Sequence, residues 1–209
     1  MKKHSARAIG IALTILSVAS CSTSVGDSRN AKRSSKVNMQ GAADEADKLI
    51  YQTLSAVKPP IEWTHDTSDH GSCDGESSDY GDVTRRAVVM TKVSEARRGA
   101  LIGVIERHWK KGGHKITDVN SDKEFPEVYA ETGDAVLRMS LLVGGEGQFF
   151  LDVQTACVKK SDVTAPSTQA NGHSYYGKAI PRPNVDDSFW SSNTPITPST
   201  ATPSAKPSS

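Results

Sequence analysis

The sequence predicts an α+β domain: a two-layer sandwich in which an antiparallel meander sheet is covered by two helices, with a disordered arm at each end. Three observations carry this. Apolar residues recur with a period of two through much of 114–158, with glycine-containing turns between consecutive runs. Two stretches, 42–57 and 94–111, repeat apolar residues at helical spacing. Residues 21–40 and 161–209 are polar or proline-rich and bury too little to repay ordering.

The elements follow in chain order. Ala42, Ala46, Leu49, Ile50, Leu54 and Val57 form the apolar stripe of a first helix, which Pro59-Pro60 ends. Residues 61–65 are a short extended segment, and 66–82, almost all Asp, Ser, His and Gly, are expected to be a long loop. A strand over 83–93 places Val83, Ala87, Val89, Thr91 and Val93 on one face and Arg86, Val88 and Met90 on the other. Ser94 has the character of an N-cap, with Glu95 at the positive helix end. Leu101, Ile102, Val104, Ile105 and Trp109 make the stripe of the second helix. Lys110 and Lys111 suit its last turn, and Gly112-Gly113 stops it. Strands are then expected at 114–119 and 127–131, at 134–143 (Ala135, Leu137, Met139, Leu141 and Val143 inward), and at 148–158 (Phe149, Leu151, Val153, Thr155 and Cys157 inward). Thr132-Gly133 and Gly144-Gly145-Glu146-Gly147 turn the chain between them. Such alternation leaves one sheet face wet, and the helices cover the other.

The organisation is therefore 1–20, a signal segment; 21–40, a flexible tether; 41–160, one globular domain; and 161–209, a Ser/Thr/Pro-rich tail holding seven of the ten prolines. A domain of about 120 residues is the usual size for one core. Phe189-Trp190 stands out in that tail, with Tyr175-Tyr176 upstream. Such an island can order on a partner, pack back on its own domain or do neither.

The start of the chain is basic (Lys2, Lys3, Arg7), and residues 8–19 are largely apolar. That run falls short of the roughly 20 residues of a membrane span and fits a secretory h-region. It closes on Val18-Ala19-Ser20-Cys21, which resembles the lipobox of bacterial lipoproteins. The resemblance implies cleavage before Cys21, a diacylglyceryl thioether on its sulfur and an N-acyl chain. It places the protein on the extracytoplasmic face of a membrane, since two or more chains anchor stably where one binds only marginally. The organisation of the rest is similar to small lipoproteins of actinobacteria, which implies no binding residue beyond Cys21.

Removing residues 1–20 takes Lys2, Lys3 and Arg7 and no acid, so Lys plus Arg falls from 25 to 22 against 24 Asp plus Glu, and the net charge from +1 to −2. A near-neutral chain offers no electrostatic footprint for nucleic acid. With Cys21 lipidated, Cys73 and Cys157 remain as an even pair in an exported protein, and a disulfide between them is expected.

Chemistry is sparse. His65, Asp66, Asp69, His70, Cys73 and Asp74 form the densest group of potential ligands, with His65, Asp69 and His70 as metal candidates, but no pair has a recognised ligand spacing. A nucleophile elbow, a phosphate-binding loop and the common hydrolase motifs are missing. Ser72 has no identifiable base, and His108 and His114 flank the end of the second helix. No cofactor is expected. The leading expectation is a lipid-anchored, non-enzymatic domain binding an envelope protein, glycan or lipid. The alternative is a small envelope hydrolase or metal-binding protein using the His65-to-Asp74 loop.

Overall fold

The computed structural model describes residues 37–73, 78–134 and 136–194. Helix α1 spans Met39–Ser55 and begins earlier than the apolar stripe suggests, because Asn38 caps it by accepting the Gly41 amide at 2.9 Å. Its inward face carries Ala42, Ala43, Ala46, Leu49, Ile50 and Leu54. Three strands follow: β1 (Trp63–His65), β2 (Asp69–Ser72) and β3 (Tyr80–Val89). Helix α2 (Glu95–Lys111) leads into β4 (Lys115–Asn120), β5 (Glu127–Glu131), β6 (Leu137–Val143), β7 (Phe149–Thr155) and the short β8 (Val158–Lys159). Gly113, at φ +79°, supplies the left-handed residue just past α2.

All pairings between these strands are antiparallel, in the order β1-β3-β7-β6-β5-β4, with β2 and β8 also pairing with β3. Both helices lie on one face, α1 against β3 and β7 and α2 against β4 and β5. The architecture is thus α+β, a helical layer on an antiparallel sheet. The main core joins the inward rows of β1, β3, β5, β6 and β7 to both helices, and Trp63, Trp109 and Phe149 are fully buried in it. The Trp109 indole N–H donates to Thr53 Oγ1 at 3.0 Å, tying α2 to α1 while satisfying a buried donor. A smaller cluster of Met39, Ala42, Ala43, Val83 and Val158 packs at the other end of α1.

Three expectations within the domain are corrected. Residues 66–82 are not one long loop, because Asp69–Ser72 pairs with β3. β3 is long enough to extend past β1, and its free edge recruits a segment with no strand pattern of its own. The expected strand at 148–158 breaks after Thr155, so Cys157 sits half-buried between β7 and β8 rather than on an inward strand position. Ser94 holds the N-cap position without capping: its hydroxyl donates to Ser192 O at 2.5 Å instead.

The largest correction concerns the ends of the domain. Val37 to Gln40 belongs to the folded unit, and 1–36, including Cys21, lies outside the described residues. Residues 161–194 pack on the domain as an irregular strap, while 195–209 also lies outside the described residues. Proline excludes ladders but not packing. The strap uses side-chain and isolated backbone partners instead of a ladder. Ser161 Oγ accepts the Gln40 amide at 3.0 Å, and Gln40 Oε1 accepts the Thr164 amide at 2.7 Å. Farther on, Met90 O accepts the Asn184 and Val185 amides at 3.0 Å each, and Val185 O accepts the Lys92 amide at 2.8 Å. Trp190 ends the strap 1% exposed, its indole donating to Pro59 O at 2.8 Å.

Candidate functional site

Asp47 lies on the buried side of α1, one turn beyond Ala43. Arg85 stands between Val83 and Ala87 on the inward row of β3, and His65, opposite Ala87 in register, shares that face from β1. Three polar side chains from three elements therefore converge in the apolar layer, at 0%, 1% and 6% exposure for Asp47, Arg85 and His65. So deep a charge demands a partner.

Part of the answer is the Arg85 Nε–Asp47 Oδ1 ion pair at 3.1 Å, whose alignment falls short of a good hydrogen bond. The rest is the strap, together with Ser68 just before β2. Arg85 Nη2 donates to Thr164 O at 2.9 Å, and Nη1 donates to Ser68 Oγ. Asp47 Oδ2 accepts the Ser167 amide at 2.9 Å and the Ser167 hydroxyl at 3.3 Å, and Asp47 O accepts the Thr168 hydroxyl at 3.3 Å. His65 Nε2 lies 2.9 Å from Thr168 O. A carbonyl only accepts, so the proton sits on Nε2, and Nδ1 is left buried without a partner.

Burial pushes the Asp47 carboxyl upward against the opposing pull of the Ser167 amide, Arg85 and His65. Burial likewise lowers His65 despite the nearby Asp47 charge, with Arg85 adding to the fall, so the imidazole is neutral at neutral pH. The cluster is one balanced ion pair beside a neutral ring, and its donors and acceptors grip the strap's backbone. Its chemistry is that of a clasp. The strap's carbonyl takes the Nε2–H, and Nδ1, the nitrogen with the free lone pair, is shut away from solvent.

The predicted site residues have different fates. Cys73 and Cys157 form the expected disulfide, S–S 2.10 Å with Cα atoms 6.1 Å apart, joining the end of β2 to the segment between β7 and β8. His65, Asp69 and His70 are not assembled into a ligand set. His65 points into the core, whereas Asp69 and His70 are exposed on β2, with Asp69 opposite the outward Thr84. Among the described residues no group of three or more His, Cys, Asp or Glu could hold a metal ion. Asp74 lies outside them. Phe189 and Trp190 stack edge to face with centroids 4.9 Å apart, and Arg97 lies 4.7 Å from the Phe189 ring centre. Their docking is on the domain itself.

Sequence reasoning missed Asp47 and Arg85. Arg85 was legible in principle, because the alternation that puts Val83 and Ala87 inward puts Arg85 inward too, and an inward arginine requires an acid. Elsewhere the sheet face without helices carries Arg86 paired twice to Asp152, at 2.6 and 2.7 Å, beside Phe150. An open cleft of about 510 Å³ lies at the start of α2, lined by Glu95, Gly99, Asp122, Lys123 and Asn193 among others. No protein-family model matches this sequence and no curated protein matches it significantly, so the reading of the site rests on its own geometry.

Proposed function

We propose that this protein is anchored to the extracytoplasmic face of a membrane through a lipid on Cys21, and that residues 37–194 form a non-enzymatic binding module held above that membrane. The observation that carries the reading is the sequence Val18-Ala19-Ser20-Cys21 behind a basic, then apolar, segment. The Cys73–Cys157 disulfide supports it, since such bonds persist in oxidising compartments. No helix among the described residues is long and apolar enough to cross a membrane. A tethered domain is attached at the start of α1. That helix has 17 residues and is about 25 Å long, and Trp190 packs beyond its far end on Pro59. The helix-free sheet face, with Arg86, Phe150 and Asp152, is the broad surface on offer to an envelope protein, glycan or lipid.

Mass analysis of the mature N-terminus tests the anchor. The expected result is a diacylglyceryl-modified Cys21 as residue one, and release or an uncut precursor for Cys21→Ala. A Cys21→Ala protein processed and retained at the membrane like the wild type overturns the reading. Pull-down of the anchored protein from detergent extract tests the binding module, and repeated failure to retain any protein, glycan or lipid counts against it.

A further inference from the structure

The clasp between Asp47, Arg85, His65 and the strap differs from an ordinary core in one respect: what it binds is irregular backbone with little apolar surface. Between 161 and 172 the strap contributes Val163 and Ala170 as its packed apolar residues, both only partly buried. Its attachment is polar: Thr164 O, the Ser167 amide and hydroxyl, and Thr168 O and hydroxyl on the cluster, then Asn171 and Gly172 on β1. Those last two residues cover a strand edge. Asn171 Oδ1 accepts the Trp63 amide at 3.1 Å, and Trp63 O accepts the Gly172 amide at 3.1 Å. The approach is close, since a Cβ on Gly172 would stand 2.9 Å from that carbonyl.

We propose that residues 161–172 are an acid-sensitive latch, released when the His65 ring takes up a second proton, and that release uncovers the edge of β1. The geometry gives the reason. His65 Nδ1 is buried with no hydrogen-bond partner, while Nε2 of the same ring holds the strap at Thr168. A proton there creates a donor with nothing to receive it and a second cation near Arg85. The groups facing the ring are Asp47 from α1, Arg85 from β3, the Trp63 ring from β1, edge-on at 5.0 Å, and the uncharged Thr168 from the strap. Asp47 is already engaged by Arg85 and Ser167. Once the strap lifts, water reaches the imidazolium.

The sign follows from linkage. His65 binds its proton more weakly in the latched state than in the open one, so acid favours opening as pH falls below the ordinary histidine range. Asp47 acts oppositely at lower pH, because its carboxyl is raised in the latched state and protonates there first. Opening is therefore driven by His65 in the mildly acidic range alone. A ring that stays neutral when latched and has an ordinary pKa when open gives about a tenfold rise in the open population between about pH 7.5 and 5.5.

Residue-resolved hydrogen exchange on the disulfide-intact domain tests this, with rates expressed as protection factors to remove the intrinsic pH effect. The Ser167 and Gly172 amides should lose about tenfold protection at the lower pH, while the Lys92 and Ser94 amides, held by Val185 and Trp190, keep theirs. His65→Gln, which retains a donor near the Nε2 position, should abolish the pH dependence. Unchanged protection in the wild type, or an equal loss in His65→Gln, overturns the proposal. If His65→Gln does not fold, the wild-type His65 ring is followed by NMR. The ring should stay neutral through the ordinary histidine range and charge only where the Ser167 amide has lost its protection; a ring that charges while Ser167 stays protected overturns the proposal as well.

Discussion

At one side of the sheet β1 is three residues long and wholly buried; at the other β4 is six residues long and almost wholly exposed. Both are edges, and an unpaired edge invites pairing with another chain. β1 is covered: Asn171 and Gly172 take the Trp63 backbone groups, Tyr175 donates its amide to Thr64 Oγ1 at 3.0 Å, and Trp190 closes the far end. β4 is blunted instead. Its register with β5 shifts between Ile116 and Asp118, and it presents Lys115, Asp118 and Asn120. Covering makes one edge part of the core and ties it to a buried ion pair. Blunting leaves the other edge cheap and tolerant of change.

The largest effects should therefore fall on the covered side. Asp47→Ala leaves Arg85 without its acid at 1% exposure, and about 3–5 kcal/mol of stability should be lost in denaturant titration. Replacing both, as Asp47→Leu with Arg85→Met, should cost much less than either single change; equal losses would mean that the ion pair is not what the strap rests on. Trp190→Ala should lose about 3–5 kcal/mol as well, through a cavity and an unmatched Pro59 carbonyl. An effect below about 1 kcal/mol would show that the pole is not packed.

Reduction of Cys73–Cys157 comes next, at about 2–5 kcal/mol, read as a lower Tm under reducing conditions. The smallest effect belongs to β4. Lys115→Ala removes an exposed pair with Glu131 at 2.8 Å and should change stability by no more than about 0.5 kcal/mol. A loss comparable to that of Asp47→Ala would erase the contrast between the edges.

The same contrast governs what was legible in the sequence. The strands from β4 to β7 announce themselves because alternation and glycine turns are local, as in Leu137, Met139 and Leu141 against Arg138 and Ser140. Both helices show their stripes for the same reason. β2 was invisible, since Asp69-His70-Gly71-Ser72 has no period and pairs only because β3 extends beyond β1. The strap was invisible for a deeper reason. Its composition is that of a disordered tail, and its order comes from partners about 100 residues away, such as Thr168 on His65 and Trp190 on Pro59. Only Phe189-Trp190 hinted at it. The disulfide could be inferred by counting cysteines, whereas the Asp47–Arg85 pair needed an inward arginine to be taken seriously.

Truncation tests the central claim most directly, that 161–194 is part of the folded unit. A chain ending after Thr194 should unfold cooperatively with the Tm of the full-length protein. A chain ending after Lys160 would expose the β1 edge, the Asp47–Arg85–His65 cluster and the seat of Trp190 together. It should show no cooperative transition near that temperature. If the chain ending after Lys160 melts cooperatively at the full-length Tm, the strap is a passenger and the account is wrong.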